Sequence, residues 1–243
     1  MTVNQLIAIA IVVFGASIIQ ALVGFGFGLI SVPLMIFFVD LPTAVVTATT
    51  ISTVSCAIQW YESRRVSANK MSVRLVVSAL FGMPLGLWVL ENVAARPMKA
   101  ILGVVVMIGV FLSVKGFDLR RLNAGFDYFM GFLAGVLSTA TSTNGPPLVF
   151  LLHSRHYSPT DFRAVLNRVF TILNLLTLLT FVAVGKMNAD ALLLSGVSIP
   201  VMGVGVFLGT RLRKFIDPEQ FRKLVILLLF ASGMSAILNS IFS

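Results

Sequence analysis

The sequence predicts an all-α polytopic membrane protein, and two observations carry this prediction. Of the 243 residues, 58% are hydrophobic and only 11% are charged, whereas a soluble domain has about 25% charged residues. The charges are also segregated, and they leave uncharged stretches over 1–39, 41–61, 75–90, 100–114, 128–154, 169–185, 191–210 and 224–243. Because a helix needs about 20 apolar residues to cross the hydrocarbon core, nearly the whole chain is predicted to lie in a lipid bilayer.

The lack of hydrophilic stretches, the positions of the basic residues and the single cysteine predict one transmembrane domain over 1–243. They also exclude several classes of protein. No hydrophilic stretch is long enough for a soluble domain, and the N-terminus lacks the basic region of a cleaved signal peptide. The net charge of +9 lies in short loops between apolar spans, as is typical of membrane proteins, so no nucleic-acid partner is expected. Cys56 is alone, which excludes a disulfide framework and a thiolate metal site. No cofactor is expected.

The chain contains two repeats, predicted near 1–116 and 122–243. A gapless shift of 121 residues superimposes residue types that are scarce in this chain. The matched pairs are Gly24 and Gly145, Asp40 and Asp161, Arg65 and Lys186, Gly82 and Gly203, and Pro97 and Pro218. The shift also aligns the two stretches that interrupt long apolar segments, GFGFG at 24–28 and TSTNGPP at 141–147.

Each half is predicted to contain one broken segment followed by three spans. In the first half these are Met1–Val39, Leu41–Tyr61, Arg74–Leu90 and Pro97–Val114. In the second half they are Phe126–His153, Phe162–Gly185, Ala191–Thr210 and Phe221–Ile241.

The distribution of Lys and Arg indicates whether each broken segment crosses the membrane or returns to its starting side. If both return, the loops 62–74, 115–127, 153–163 and 211–223 share a side and carry 14 Lys and Arg, against three on the other side. If each crosses once, the split is 8 against 9. Because cytoplasmic loops carry the excess of basic residues, the broken segments are predicted to be helical hairpins, with both chain termini in the periplasm.

A returning hairpin plus three spans makes an odd number of crossings, so the second repeat enters the membrane with the opposite orientation. The prediction is therefore two inverted-topology repeats, each a broken helical hairpin plus three transmembrane helices. This architecture is common in secondary transporters, whose substrate sites lie near the midplane where broken helices meet. Unpaired backbone at that depth is tolerated only inside protein or beside a water-filled cavity.

The two breaks predict an anion-binding pocket. Glycines allow a ligand to approach the backbone closely, and the helices that restart after the breaks present N–H groups and a partial positive charge. The alternative is that Gly, Ser and Thr only allow helices to pack closely. The candidate binding residues are Gly24, Phe25, Gly26, Gly28, Ser142, Thr143, Asn144, Gly145, Pro146, Asn167 and Arg168.

The charged residues favour an anion over a cation as the ligand. All nine acidic residues lie at span edges or in loops, whereas cation and proton-coupled carriers usually place a carboxylate inside the membrane. Arg168 is the most deeply placed charge, about 12 Å along its helix from Thr160. Its guanidinium either faces the pocket, where it can bind an oxyanion in bidentate fashion, or extends to the cytoplasmic interface.

Several motifs resemble the TauE/SafE-type sulfite exporter family. They are GFGFGLISVPLM at 24–35, GVLSTATSTNGPPLVFLL at 135–152, LFGMPLGLWV at 80–89 and VMGVGVFLGTRL at 201–212. The resemblance covers essentially the whole chain and implies a transporter of small sulfur-containing anions in the bacterial inner membrane. Such anions include sulfite, sulfoacetate and related sulfonates. The chain departs from the family at Phe25 and Phe27, where the family has a more glycine-rich run, and these side chains bear on the size of the pocket.

The predicted function is therefore secondary transport of small sulfur oxyanions by alternating access, most often as export. Export of an anion from a negative-inside cell is assisted by about 2.3 kcal/mol per charge per 100 mV, so a uniporter would suffice. The main alternative is a cation or metal-ion carrier of similar architecture. An enzyme would need a nucleophile–base pair or metal ligands at membrane depth, and a structural factor would not need paired breaks. The sequence does not specify an oligomeric state.

Overall fold

The structure, a computed structural model, describes residues 3–66, 69–92, 107, 111, 124–141 and 144–242. These residues form helices and connecting turns, without a strand. The helices are α1 (Val3–Val23), α2 (Phe27–Met35), α3 (Leu41–Glu62), α4 (Asn69–Asn92), α5 (Ala124–Thr141), α6 (Gly145–Ser154), α7 (Pro159–Ala183), α8 (Ala189–Leu212) and α9 (Pro218–Phe242). A short 3₁₀ turn, Arg213–Phe215, follows α8.

The all-helical polytopic membrane protein predicted from the sequence is confirmed. Among the described residues, four helical stretches are long and apolar enough to cross a bilayer: Asn4–Val23, Lys70–Val89, Pro159–Ala183 and Ala189–Phe215. The predicted span Pro97–Val114 lies outside the described residues, apart from Met107 and Phe111. The fourth helix begins at Asn69, ahead of the predicted Arg74.

Side-chain caps explain where three of the helices begin. The Asp40 carboxylate accepts a hydrogen bond from the Thr43 backbone N–H at 3.1 Å and starts α3. Hydrogen bonds from the Thr43 side chain and from its backbone lower the pKa of this carboxyl. Ser158 Oγ accepts from the Asp161 N–H at the start of α7, and Asn188 Oδ1 accepts from the Ala191 N–H at the start of α8. Each cap satisfies a backbone donor that the helix itself leaves unpaired.

Two pairs of helices pack closely along glycine-containing faces. A Cβ atom built on Gly135 of α5 would lie 2.0 Å from the Ala79 carbonyl oxygen of α4, and one built on Gly131 would lie 2.7 Å from the Leu75 carbonyl oxygen. These contacts advance together along both chains, so α4 and α5 run parallel. The small residues let the two backbones approach each other, as in other membrane helix pairs.

Helices α1 and α8 form the second close pair. A Cβ built on Gly205 would lie 2.9 Å from the Phe14 carbonyl oxygen, and one built on Gly209 would lie 2.7 Å from the Ile18 carbonyl oxygen. Here too the contacts advance along both chains together, so α1 and α8 run parallel.

Helices α3 and α7 pack against each other in opposite directions. Near the start of α3, Thr43 Oγ1 accepts from the Asn188 side chain, which follows the end of α7. At the middle of α3, Ser52 Oγ accepts from Asn174. Near the end of α3, Trp60 lies beneath the guanidinium of Arg168, in the first half of α7.

Each short helix ends beside the start of the long helix before it. The Gln5 side chain of α1 donates to the Phe38 carbonyl oxygen just after α2, at 3.2 Å. Arg155, the residue after α6, forms a 2.7 Å ion pair with Asp127 in the first turn of α5. In both halves the chain thus turns back on itself after the break. Helix α6 is also enclosed by protein, since all its residues except His153 are buried.

Candidate functional site

The first break separates α1 from α2 and depends on two glycines. Gly24 has φ +94° and Gly26 has φ +99°, a left-handed backbone that L side chains rarely adopt. Gly24 also lies against Arg163 of α7, where an added Cβ would be 2.9 Å from Arg163 Cγ. The α-helical hydrogen bonds resume when the Ile30 N–H donates to the Gly26 carbonyl. Gly26, at the cap position, brings no side chain to the free N–H groups of the first turn of α2.

The second break separates α5 from α6. Of the predicted binding residues here, Ser142 and Thr143 lie outside the described residues. Asn144 is the N-cap, and Gly145, Pro146 and Pro147 form the first turn of α6. Proline has no backbone N–H, so this turn offers fewer donors than the sequence analysis assumed. The helix start with more free N–H groups is that of α2.

The structure brings the two breaks together at one cavity of about 390 Å³, measured out to its opening. Its lining comes from both breaks and from the middle of α3 and α7. The lining residues are Gln20, Phe25, Gly26, Phe27, Gly28, Leu29, Ala48, Ser52, Asn144, Gly145, Phe170 and Asn174.

Phe25 forms the direct contact between the breaks. A Cβ built on Gly145 would lie 3.6 Å from Phe25 Cδ2, so the ring packs on the start of α6. Its other neighbour is Phe162 of α7, whose ring centroid lies 6.4 Å away in an edge-on arrangement. Phe25 is 1% exposed. This aromatic residue therefore fills space between the two breaks.

A hydrogen-bonded row of neutral side chains crosses the cavity from one break to the other. Gln20 Nε2, near the end of α1, donates to Ser52 Oγ at 3.2 Å. Asn174 Nδ2 donates to the same oxygen at 3.2 Å. Asn144 Nδ2, at the second break, donates to Asn174 Oδ1 at 3.1 Å. The four side chains thus connect both hairpins through the central helices α3 and α7.

Two arginines bind the end of α1 rather than the cavity. Arg163 Nη1 donates to the Leu22 carbonyl oxygen at 3.2 Å, and Arg213 Nε donates to the Ala21 carbonyl oxygen at 2.6 Å. These carbonyls belong to the last turn of a helix, where partial negative charge accumulates. The break after α1 is therefore fixed by cations from α7 and from the turn after α8.

The described lining of the cavity combines apolar side chains with polar ones and has no formal charge. Its polar side chains are amides and one hydroxyl, and the first turn of α2 contributes N–H groups with a partial positive charge. Within the described ranges, no group of three or more His, Cys, Asp or Glu residues could hold a metal ion. Such a surface can donate hydrogen bonds to an anion, but it offers no carboxylate to a cation.

The predicted site residues that the structure describes divide into three sets. Phe25, Gly26, Gly28, Asn144 and Gly145 line the cavity. Gly24 and Pro146 lie at the breaks, next to the lining residues.

Asn167 and Arg168 form the third set, which lies outside the described lining. Asn167 is buried, 1% exposed, and the guanidinium carbon of Arg168 lies 5.9 Å from the centroid of the Trp60 ring. Asn167 occupies the same face of α7 as Asn174, but seven residues, or about 10 Å, earlier along the helix.

Sequence reasoning missed Gln20, Ser52 and Asn174 as lining residues. Gln20 is an amide inside a long uncharged run, and such a polar residue at membrane depth is the signal that could have identified it. Ser52 could not be distinguished from its neighbours in the Ser/Thr-rich helix α3.

Comparisons with known proteins identify the family of the chain. The family model described as sulfite exporter TauE/SafE matches residues 9–236. A probable sulfite/organosulfonate exporter TauE from Cupriavidus necator is 27% identical over 232 residues, which cover 91% of this chain and 90% of the relative. A probable inner membrane transporter protein TsaS from Comamonas testosteroni is 28% identical over 157 residues, 63% of this chain and 66% of the relative. No solved structure matches. The resemblance seen in the motifs is thus confirmed, and the chain belongs to the sulfite exporter TauE/SafE family.

Proposed function

We propose that this protein is a secondary transporter of small sulfur-containing oxyanions, such as sulfite, sulfoacetate and related organosulfonates, across the bacterial inner membrane. The observation that carries the proposal is the meeting of both backbone breaks at one cavity, whose described polar side chains are uncharged. Helix N-termini and neutral N–H and O–H groups recognise oxyanions. The names of the two relatives, a probable sulfite/organosulfonate exporter and a probable inner membrane transporter, support the substrate class and the membrane.

In the proposed mechanism the first turn of α2 and the amides of the cavity hold the sulfonate or sulfite group. Gly24, Gly26 and Gly28 let the backbone approach the anion, and Asn144 and Gly145 face it from the other hairpin. Pro146 belongs to the second break, and Ser142 and Thr143 remain binding residues predicted from the sequence. Asn167 and Arg168 would attract the anion along α7 from the end at which this helix begins, because a guanidinium is a planar fork that matches an oxyanion.

Alternating access would arise from two inverted-topology repeats, 1–116 and 122–243, that rock against each other. The 121-residue shift relates α1 to α5 and α4 to α8, so it exchanges the α1–α8 pair with the α4–α5 pair. Within each pair the two helices run parallel to each other. The same shift pairs α3 with α7, and these helices run antiparallel. A two-fold axis in the membrane plane requires this pattern, whereas repeats of equal orientation would make α3 and α7 parallel.

The hairpin topology has independent support from the ends of the short helices. The contacts of Gln5 with Phe38 and of Asp127 with Arg155 place the end of each broken segment beside its beginning. With the 14-to-three distribution of Lys and Arg, this favours periplasmic chain termini and cytoplasmic loops at 62–74 and 211–223.

A transporter fits the family better than an enzyme, because the curated relatives are named as an exporter and a transporter. The alternative of a cation or metal-ion carrier would need a carboxylate or a cluster of ligands at the cavity, and the described lining offers amides and a hydroxyl instead.

A flux assay tests the proposed function. The purified protein in proteoliposomes should carry radiolabelled sulfite faster than empty liposomes do, and unlabelled sulfoacetate should compete with it. Magnesium, zinc and sodium ions should not be carried. Cation flux without sulfite flux would replace the proposal with its alternative.

A further inference from the structure

A second row of buried hydrogen bonds leads from the cavity toward Arg213. Arg213 Nη2 donates to Gln59 Oε1 at 2.5 Å, and Gln59 Nε2 donates to Ser55 Oγ at 3.2 Å. Ser55 Oγ donates to Gln20 Oε1 at 2.8 Å, and Gln20 Nε2 donates to Ser52 Oγ at 3.2 Å. We refer to these four side chains, Gln59, Ser55, Gln20 and Ser52, as the relay.

The direction of every hydrogen bond in the relay follows from Arg213. A guanidinium can only donate, so the Gln59 amide must turn its oxygen to Arg213 and its nitrogen to Ser55. Ser55 Oγ accepts from Gln59 and donates its own hydrogen to Gln20 Oε1. The Gln20 oxygen therefore faces Ser55, and its nitrogen faces Ser52 in the cavity.

At the cavity end of the relay, the Ser52 hydroxyl keeps a hydrogen that it can donate. Ser52 Oγ accepts from Gln20 and also from Asn174, and its remaining contact among the described residues is Cys56 Sγ at the long distance of 3.9 Å. A hydroxyl oxygen that accepts two hydrogen bonds still carries one O–H to donate. Since Ser52 lines the cavity, that donor is available to an anion.

Three of the four relay side chains are buried, so the direction of their hydrogen bonds affects the cavity. Gln59 and Gln20 are 1% exposed and Ser55 is 0% exposed, so water does not compete for their hydrogen bonds. Hydrogen bonds in a chain polarise one another, and the effect is stronger at low dielectric. A fixed cation at one end of such a chain therefore increases the donor strength at the other end.

We propose that Arg213 is a positioning residue for anion recognition, which acts through the relay by fixing the Ser52 hydroxyl as a donor in the cavity. This inference rests on the proposed function, since it explains how a cavity without a charged side chain among its described lining prefers an anion. Arg213 does not touch the substrate in this scheme. Its positive charge is transmitted as the orientation of four neutral side chains.

Gln59→Glu reverses the direction of the hydrogen bonds in the relay while it keeps the shape of the side chain at position 59 nearly unchanged. A carboxylate still accepts from Arg213, but it has no N–H for Ser55. The Ser55 hydroxyl must then donate to Glu at position 59, Gln20 turns its nitrogen to Ser55, and its oxygen takes the Ser52 hydrogen away from the cavity. The half-saturating sulfite concentration in proteoliposome flux should rise by about 10-fold, as expected for one lost hydrogen bond to a charged ligand.

Gln220→Glu is the matched control, because Gln220 lies in the exposed first turn of α9 and the change adds the same charge. Its half-saturating concentration should stay within about two-fold of the parent value, as for an exposed charge screened by salt. An unchanged half-saturating concentration in folded Gln59→Glu overturns the inference, whereas a parent protein that carries no sulfur oxyanion overturns the proposed function and the inference with it.

A double-mutant cycle with Arg213→Gln and Ser55→Ala tests the relay independently of Gln59. Ser55→Ala interrupts the relay, so Arg213→Gln should raise the half-saturating sulfite concentration in the parent protein but not further in Ser55→Ala. A purely structural role of Arg213 at the end of α1 predicts effects that add. Additive effects would therefore contradict transmission through the relay, and thermal unfolding of each variant in detergent separates losses of stability from losses of affinity.

Discussion

Asn174 Nδ2 donates to Ser52 Oγ at 3.2 Å, and this hydrogen bond joins the middle of α7 to the middle of α3. The two helices are equivalents under the 121-residue shift and run in opposite directions. The contact therefore lies where the proposed repeats meet, and it belongs to the lining of the cavity between the two breaks. Any movement of one repeat against the other would change this hydrogen bond and the shape of the anion site together.

Replacing Ser52 tests whether its hydroxyl binds the anion. Ser52→Ala removes the donor and also leaves Gln20 and Asn174 without their shared acceptor. We expect the half-saturating sulfite concentration to rise by about 10-fold or more, as for a lost hydrogen bond to a charged ligand, worth roughly 1.5–3 kcal/mol. Ser52→Thr keeps a hydroxyl and should remain close to the parent. Equal affinities in Ser52→Ala and the parent would exclude Ser52 from the site.

Asp127→Asn is expected to destabilise the protein through a buried ion pair. The Asp127 side chain is 0% exposed and pairs with Arg155 at 2.7 Å and with Arg74 at 3.3 Å. Removing one partner of a buried pair leaves an uncompensated charge and costs roughly 3–5 kcal/mol. We expect the low end, about 3 kcal/mol, because Arg74 is 40% exposed. Thermal unfolding in detergent measures the change.

The control for Asp127 is Glu219→Gln, which removes an exposed pair with Lys223 whose side chains are 77% and 74% exposed. Exposed pairs contribute little to stability because water and salt screen them, so its melting temperature should stay near that of the parent. Equal melting temperatures for Asp127→Asn and Glu219→Gln would contradict the role of Asp127 in closing the second hairpin.

Gly135→Ala should loosen the α4–α5 pair. The added Cβ would lie 2.0 Å from the Ala79 carbonyl oxygen, which belongs to a helix backbone and cannot move alone. Overpacking of this kind costs about 1–3 kcal/mol. Gly203→Ala is the matched control, because nothing lies within 4 Å of its added Cβ and helix propensity favours Ala. A Gly135→Ala protein that unfolds at or above the temperature of Gly203→Ala would contradict the close parallel packing.

Cysteine labelling tests the proposed topology. On a Cys56→Ser background, Lys70→Cys in the first turn of α4 should be protected from a membrane-impermeant thiol reagent in whole cells and labelled after permeabilisation. Asp190→Cys at the start of α8 should be labelled in whole cells. The reverse pattern would place the basic loops outside and overturn the topology derived from the charge distribution.

The sequence was sufficient to predict the helical membrane class, the family and the location of the breaks. Clusters of Gly and Pro and charged residues are scarce in this apolar chain, so each of them marks a break or a loop. It could not predict which neutral side chains meet at the cavity. Ser52 and Asn174 are distant in sequence, and their contact depends on the rotation of α3 and α7 about their axes. Asn167 illustrates the limit, since it shares a helical face with Asn174 but lies about two turns away from the cavity.

The last prediction concerns Arg168, whose guanidinium carbon lies 5.9 Å from the centroid of the Trp60 ring. If Arg168 serves the anion, Arg168→Gln should lower sulfite affinity by about 10- to 150-fold, because hydrogen bonds to charged groups are worth roughly 1.5–3 kcal/mol. Arg168→Lys should recover only part, since an ammonium keeps the charge but lacks the planar fork. Trp60→Leu removes the aromatic partner and keeps the arginine, so it separates a role in packing from a role in binding. Flux and anion-induced thermal stabilisation should fall in Arg168→Gln and persist in Trp60→Leu. Parent-like sulfite binding by Arg168→Gln would leave the breaks and the relay as the anion-binding elements.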